Sequence, residues 1–424
     1  MTNHIVILGG GTAGTIAANR LRHEHAEAVG CGKMKITVVD EDDRHIYQPG
    51  LLFLPFGLSE PADLVRSRRA QLHPGITLMR GRIDRVDIDA GAVVLETGRP
   101  ILYDVLIVAS GSRIAPEETE GMTGAGWRER VFDFYTLEGA LALREALSRF
   151  DGGKLVINVV DQPIKCPVAP LEFAFLADWY FVKRGMRDRV EIAYVTPLDG
   201  AFTKPVAAKT LAHLLEDKHI ALKTEFNTGR VDGTSGTLYS WDDQEIPFDL
   251  LVTVPLHAGA EFVRRSPGLG DDLGFVFTDP HTLQAKAAPN IFAIGDATNV
   301  PASKAGSVAH FEADVLVRNV GRLLLGAPLD AAFDGHSNCF IETGFDRALL
   351  IDFNYDVEPL PGEFPIPGIG PMRLMRESRL NHLAKKAFKW VYWNLLLPGR
   401  HIPGIPARMR KAGKRSPAAA AADN

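Results

Sequence analysis

The sequence is short of several things that would define other kinds of protein. Its 424 residues hold three cysteines, Cys31, Cys166 and Cys339, too few for a disulfide framework and without the paired spacing of a zinc site. No metal is expected. Net positive charge is also missing: 47 Lys and Arg against 52 Asp and Glu leave a formal charge of -5. That argues against nucleic acid as a partner, because sequence-independent affinity for phosphates needs a basic surface. No apolar run approaches the eighteen or so residues of a membrane span; FKWVYWNLLL at 388–397 is short and interrupted. The opening MTNHIVILGGGTAG has neither a basic leader nor a small-residue cleavage site, so no secretory signal is expected. A chain of this length suits two or three domains.

What is present begins with HIVILGGGTAGTIAANRL at 4–21, an apolar strand, the glycines Gly9, Gly11 and Gly14, and a helix. The next strand, MKITVVD, ends in Asp40, where a carboxylate can accept bonds from ribose hydroxyls. Strand, glycines, helix, strand and terminal acid in that order predict a dinucleotide site. YDVLIVASGS at 103–112, with Ser110 and Gly111 at its end, resembles FDLLVTVPLHAG at 248–259. Each begins aromatic-Asp and follows a turn-rich stretch, which suggests an internal duplication of one βαβ plan.

The second copy would start near Lys154, and its turn lacks glycine. VVDQPIKCPVAPLEF at 159–173 puts Asp161, Pro163, Cys166, Pro167 and Pro170 where a nicotinamide site needs close backbone approach. The following strand, VEIAYVTP at 190–197, ends without a ribose-binding acid. Nicotinamide binding is therefore disfavoured. After the second half, NIFAIGDATNVPASKAGSVAHFEADVLVRNV at 290–320 brings an apolar strand, Gly295-Asp296 and a long helix. This layout resembles flavoproteins of the glutathione-reductase type over residues 1 to about 325 and implies FAD, with Asp296 on its ribityl chain or pyrophosphate. Tyr47, Gln48 and Pro49 either lie over the flavin ring or simply pack. Lys304 either approaches the flavin N1–O2 edge or is a solvated loop lysine, and His257 is either a proton relay or structural.

The expected fold class is α/β, with two Rossmann-like dinucleotide-binding domains and a C-terminal membrane-associating helical segment. The expected divisions are 1–115 with 280–330 for FAD, 116–279 for a second domain without a nicotinamide site, and 331–424 for a C-terminal membrane-associating region with a disordered tail.

IKCPVAPLEFAFLADWYF, HSNCFIETGFDRALLIDFNYD (336–356) and AFKWVYWNLLLPG (387–399) resemble the sulfide:quinone oxidoreductase family. The resemblance implies sulfide as donor, a membrane quinone as acceptor, and a redox pair at Cys166 and Cys339. It also implies Glu172 as a base, and Phe388 and Lys385 in the quinone pocket. Lys165 and the helix start near Pro170 should favour a Cys166 thiolate. Some members carry a third cysteine about where Tyr135 stands, so a two-cysteine mechanism and non-covalent FAD are expected; Cys31 reads as a surface-turn residue.

From Leu380 apolar residues recur at three- and four-residue intervals, with Lys385, Lys386 and Lys389 assigned to the opposite face of an amphipathic helix. Residues 371–415 hold twelve Lys or Arg against one acid, Glu377. Together with Trp390 and Trp393, this suggests a peripheral, monotopic contact with an anionic membrane surface of unassigned side. A homo-oligomer stays open. The alternatives are an NADH:quinone reductase, a sulfide dehydrogenase donating to a cytochrome, and a non-catalytic membrane-associated flavoprotein.

Overall fold

The computed structural model describes residues 2–402 and 404–415. Aliphatic runs form its buried strands. The first set is β1 (Asn3–Leu8), β2 (Met34–Asp40), β3 (Ile76–Arg80) and β4 (Val105–Val108), with α1 (Thr12–Glu24) after β1. The second is β5 (Val131–Phe132), β6 (Gly153–Val159), β7 (Val190–Val195), β8 (Ile220–Lys223) and β9 (Leu250–Val254), with α2 (Ala169–Lys183) after β6. Then come β10 (Ile291–Ala293), α3 (Gly306–Leu324), a hairpin of β11 (Ser337–Gly344) and β12 (Arg347–Phe353), and α4 (Arg379–Val391).

The sheet orders are β10-β4-β1-β2-β3 and β5-β9-β6-β7-β8, with every neighbouring pair parallel. Set aside the outermost strand of each and both run closing strand, first, second, third. A small three-stranded antiparallel sheet precedes each closing strand, within 83–102 and 228–247. The closing strands β4 and β9 are buried along their whole length, as expected where helices or loops cover both faces of a parallel sheet. Ligand sites in such sheets lie beyond the carboxyl ends of the strands. Those ends carry the glycine turn after β1 and the cysteine turn after β6.

The C-terminal part departs from expectation in three ways. The helix forms, and Ser378 caps it by accepting a hydrogen bond from the Asn381 amide, but at Val391 it passes into a π-type turn over Tyr392–Leu396. That turn rotates Tyr392, Trp393, Leu396 and Leu397 into the core. Trp393, expected at a membrane interface, is 4% exposed under the Arg66 guanidinium. Second, Lys385 does not share the polar face with Lys386; it points inward. Third, the last of the described residues are docked. Lys414 lies 2.6 Å from Asp352, both buried, and the His336 ring is 2.8 Å from the same carboxylate. The disorder expected for 414–424 fails at Lys414 and Arg415, the latter donating its amide to Pro361 O at 2.9 Å; 416–424 lie outside the described residues. Among the described residues no helix is long and apolar enough to cross a membrane.

Candidate active site

The turn after β1 is a cradle for a nucleotide. Gly14 is required by packing, since a Cβ there would lie 1.9 Å from Gly9 O. Around Gly11 a Cβ would meet nothing within 4 Å, which leaves room for a phosphate against the start of α1. Gly111 faces similar open space, and the Ser110 and Ser112 hydroxyls are buried without partners. Orphan polar atoms around an open cradle fit a dinucleotide.

Asp40 accepts from the amides of Gly10 (2.6 Å) and Glu41 (2.8 Å) and pairs with Arg68 at 2.8 Å. The acid expected to meet the ribose is thus already held by a cation that the sequence did not suggest. Burial raises Asp40 above the usual carboxylate range, and Arg68 opposes that rise. Gln48 is exposed while Tyr47 is buried, its ring 4.9 Å from that of Tyr392.

Gly295 and Asp296 follow β10. Glu312 on α3 accepts from the Gly295 amide at 2.5 Å. Lys304 donates to Asp296 O at 3.0 Å and Thr298 O at 2.8 Å, so it is no solvated loop lysine: it staples the turn that carries Asp296. Burial raises Asp296, with Lys304 and Lys165 opposing.

The same lysine reaches the cysteine loop through its backbone. The Cys166 amide donates to Lys304 O at 2.7 Å, and Cys166 has φ +46°. The residue standing in the glycine turn thus adopts the left-handed conformation that glycine favours. α2 starts at Ala169 with Pro170 in its first turn, as expected. Cys339 comes from β11, paired with Ile351 of β12. Both thiols are free, partly buried and packed on one apolar core.

Burial is the largest influence on each thiol and pushes both up. Charge on Cys166 adds to the rise at Cys339, so the two lie within electrostatic reach. Lys385 and the Ala169 amide pull Cys166 back down. The expectation for Lys165 is therefore corrected: its ammonium answers to Asp296 and Asp133, and the cation acting on Cys166 is Lys385.

Lys385 forms a buried ion pair with Glu172. Its ammonium also donates to Phe340 O at 3.1 Å and lies 5.6 Å from the Phe53 ring centroid. Glu172 is 2% exposed and accepts from the Glu342 amide at 2.6 Å. One ion pair therefore satisfies an acceptor and a donor on the open edge of β11. Burial pulls Lys385 down, and Cys166 opposes this. Phe388 lies on the same helix, half-buried against the core.

Tyr135 stands where a third cysteine was sought, and its hydroxyl donates to Cys166 O at 3.5 Å. Its ring meets His257 edge-on at 5.2 Å. His257 donates Nδ1–H to Pro255 O at 3.0 Å, and burial lowers it to about 3, so it stays neutral near pH 7. Cys31 is exposed, as expected. Sequence reasoning missed Arg68, Glu312, Phe53 and Glu342. Glu342 had the best signal, an acid three residues after Cys339 on a strand-like run.

Comparison with known proteins bears on the fold and on the kind of chain this is similar to. The signature of the pyridine nucleotide-disulphide oxidoreductase family matches residues 3–160. The chain is 27% identical over 419 residues to the mitochondrial sulfide:quinone oxidoreductase of Mus musculus, covering 96% of this chain and 89% of that one. The X-ray structure of the sulfide:quinone oxidoreductase from Aquifex aeolicus aligns with a TM-score of 0.75 at 19% identity, over 93% of this chain and 92% of that one. A chain of the Tetrahymena thermophila mitochondrial ATP synthase aligns with a TM-score of 0.77 at 18% identity, over 96% and 98%. The two structural likenesses speak to the fold alone. The resemblance drawn from the cysteine segments holds along nearly the whole chain.

Proposed function

We propose that this chain oxidises sulfide at Cys166 and Cys339 and passes the electrons, through FAD, to a membrane quinone. FAD is its cofactor. Residues 1–115 with 280–330 hold it, 116–279 carry the cysteine loop without a nicotinamide site, and 331–424 supply the acceptor side. Gly9, Gly11, Gly14, Asp40, Ser110, Gly111, Gly295 and Asp296 line the cofactor cradle, with Lys304 holding its last turn. The observation that carries the reading is Cys166 in left-handed backbone at the glycine position, packed on the same apolar core as Cys339 from a distant hairpin.

With the pair oxidised, hydrosulfide attacks one sulfur of the disulfide. The S–S bond breaks, leaving a persulfide on one cysteine and a thiolate on the other. Transfer of the outer sulfur to a nucleophile leaves both cysteines reduced, and re-forming the disulfide releases two electrons. Bound FAD supplies a two-electron carrier between the cysteines and the quinone. Lys385 stabilises the Cys166 thiolate, and Glu172 holds Lys385 and takes up the proton of incoming sulfide. Phe388 and Lys385 border the quinone. Leu380, Leu383 and Trp390, all exposed, lie among Arg376, Arg379 and Lys386 and form the membrane contact.

The test is anaerobic mixing of the FAD-loaded protein with sulfide while flavin absorbance is followed. Rapid bleaching, reversed by a quinone, is expected; absence of bleaching would refute the reading.

A further inference from the structure

The Gly10–Thr12 stretch of the cofactor turn is held by a residue of the C-terminal segment. Three donors converge on the Gly10 carbonyl: the Thr15 hydroxyl at 2.9 Å, Arg68 Nε at 3.0 Å and His45 Nδ1 at 3.2 Å. A trans peptide sets its C=O and N–H on opposite sides, so the Gly11 amide of the same unit points away from all three. Around Gly11 a Cβ would meet nothing within 4 Å, and the turn is open there.

The other ring nitrogen of His45, Nε2, is 2.7 Å from the Tyr392 hydroxyl, and that hydroxyl is 2.8 Å from Thr12 Oγ. The direction of each bond is fixed. A carbonyl only accepts, so His45 carries its hydrogen on Nδ1. Burial lowers the ring to about 4, so it is neutral near pH 7 and its Nε2 is an acceptor. Tyr392 therefore donates to Nε2, and Thr12 donates to Tyr392. This chain of bonds leaves the turn at Thr12 and returns to it at Gly10, enclosing Gly11.

Tyr392 is itself firmly seated. Its ring lies 4.9 Å from that of Tyr47 and 5.2 Å from that of Trp393, and Trp393 meets His45 edge-on at 5.5 Å. Two turns further along α1, Asn19 donates to Leu397 O at 2.6 Å and Arg20 Nε to Gly399 O at 3.3 Å. Thr12, Asn19 and Arg20 share one face of α1. Residues 392–399 are thus bound along the helix whose first turn borders the cofactor cradle.

We propose that Tyr392 and His45 are positioning residues for FAD: they strap the Gly10–Thr12 turn, so that flavin binding and docking of residues 392–399 strengthen each other. This rests on the glycine turn as the FAD site and holds whichever donor and acceptor the enzyme uses. Flavin affinity then depends on a hydroxyl 380 residues away in the chain. By linkage, bound FAD steadies the segment by the same factor. Both residues act on the cofactor through the backbone of the turn.

The test uses the full-length protein, with FAD removed and titrated back while its fluorescence is followed. Tyr392→Phe keeps the ring, loses the hydroxyl and should weaken FAD binding about tenfold, as for a buried hydrogen bond whose partners are left unpaired. His45→Phe should weaken it similarly. The double variant should bind no more weakly than the weaker single, because either change opens the same strap. Thr12→Ser should bind as the parent does and Thr12→Val should match Tyr392→Phe, which reads the strap from its other end should Tyr392→Phe fail to fold. In hydrogen exchange, FAD should slow the amides of 392–399 in the parent and not in Tyr392→Phe. Parental affinity in Tyr392→Phe, additive losses in the double variant, or FAD protection of 392–399 unchanged by loss of the hydroxyl would each overturn the strap. If Gly14→Val keeps its FAD, the reading of the turn falls first and the strap falls with it.

Discussion

The turn after β1 and the turn after β6 occupy matching places in two sheets of the same strand order, yet they are built to opposite ends. The first is all backbone: Gly14 packs so closely that a methyl group would strike Gly9 O, and the open space near Gly11 exposes amides to a phosphate. The second is all side chain. Prolines shape it, Cys166 takes the left-handed conformation itself, and its amide is spent on Lys304 O instead of a ligand. One scaffold position thus carries either open backbone amides or a thiol. The difference lies in whether the special backbone conformation is filled by glycine.

Exchanging the properties of the two turns should give the largest effects. Cys166→Ser and Cys339→Ser should each abolish sulfide-dependent quinone reduction while the purified protein keeps its flavin absorbance. Gly14→Val should do the reverse and cost the protein its FAD. A Cys339→Ser enzyme with most of its turnover would break the comparison, because the second turn would then need no partner thiol.

Donor choice comes next. Sulfide should bleach the flavin quickly, whereas NADH at micromolar levels, about the range of a specific nicotinamide site, should not. Rapid reduction by NADH would mean that the second turn still admits a nucleotide.

A smaller effect reports the electrostatics of the thiol. Because burial raises Cys166, its alkylation in reduced protein should increase with pH around a midpoint above that of an unfolded-state cysteine. Lys385→Met should move that midpoint higher still, since Lys385 acts to lower it. Mass spectrometry of the alkylated peptide reads both. A midpoint below the ordinary value would mean that Lys385 and the α2 amides outweigh burial.

The smallest concerns stability away from both turns. Lys414→Met leaves the buried Asp352 with His336 alone and should destabilise by about 3 kcal/mol. Cys31→Ser, at an exposed position, should fall within about 0.5 kcal/mol of the parent. Denaturant titration checks both.

Much of this was legible because it follows from local rules. Gly9, Gly11, Gly14 and Asp40 announce a nucleotide turn, and the repeated aromatic-Asp strands announce two sheets of one plan. Cys166 was visible because it stands where glycine was due. What failed to show was set by partners distant in sequence. Helical periodicity from Leu380 assigned Lys385 to the polar face, but Glu172 and the open edge of β11 draw it inward. The same periodicity, carried past Val391, misplaced Trp393, because the π-type turn shifts the face by a fraction of a turn. That burial also changes how the proposed membrane contact must be tested. Asn19 donates to Leu397 O at 2.6 Å and Tyr392 bonds Thr12 and His45, so removing the segment would disturb the cofactor side. Leu383→Ser with Trp390→Ser removes only exposed surface. Arg68 on Asp40 had no sequence signal, because its bond depends on where a loop returns.

The late arrival of β10 has a consequence for how the protein is made. The first sheet is finished by residues that leave the ribosome only after the entire second sheet has been synthesised, and Gly295, Asp296 and α3 come with them. Through most of translation the Gly9–Gly14 turn is present but lacks the wall that closes it, while Cys166 has already emerged. A complete cradle is therefore a late event in the life of the nascent chain.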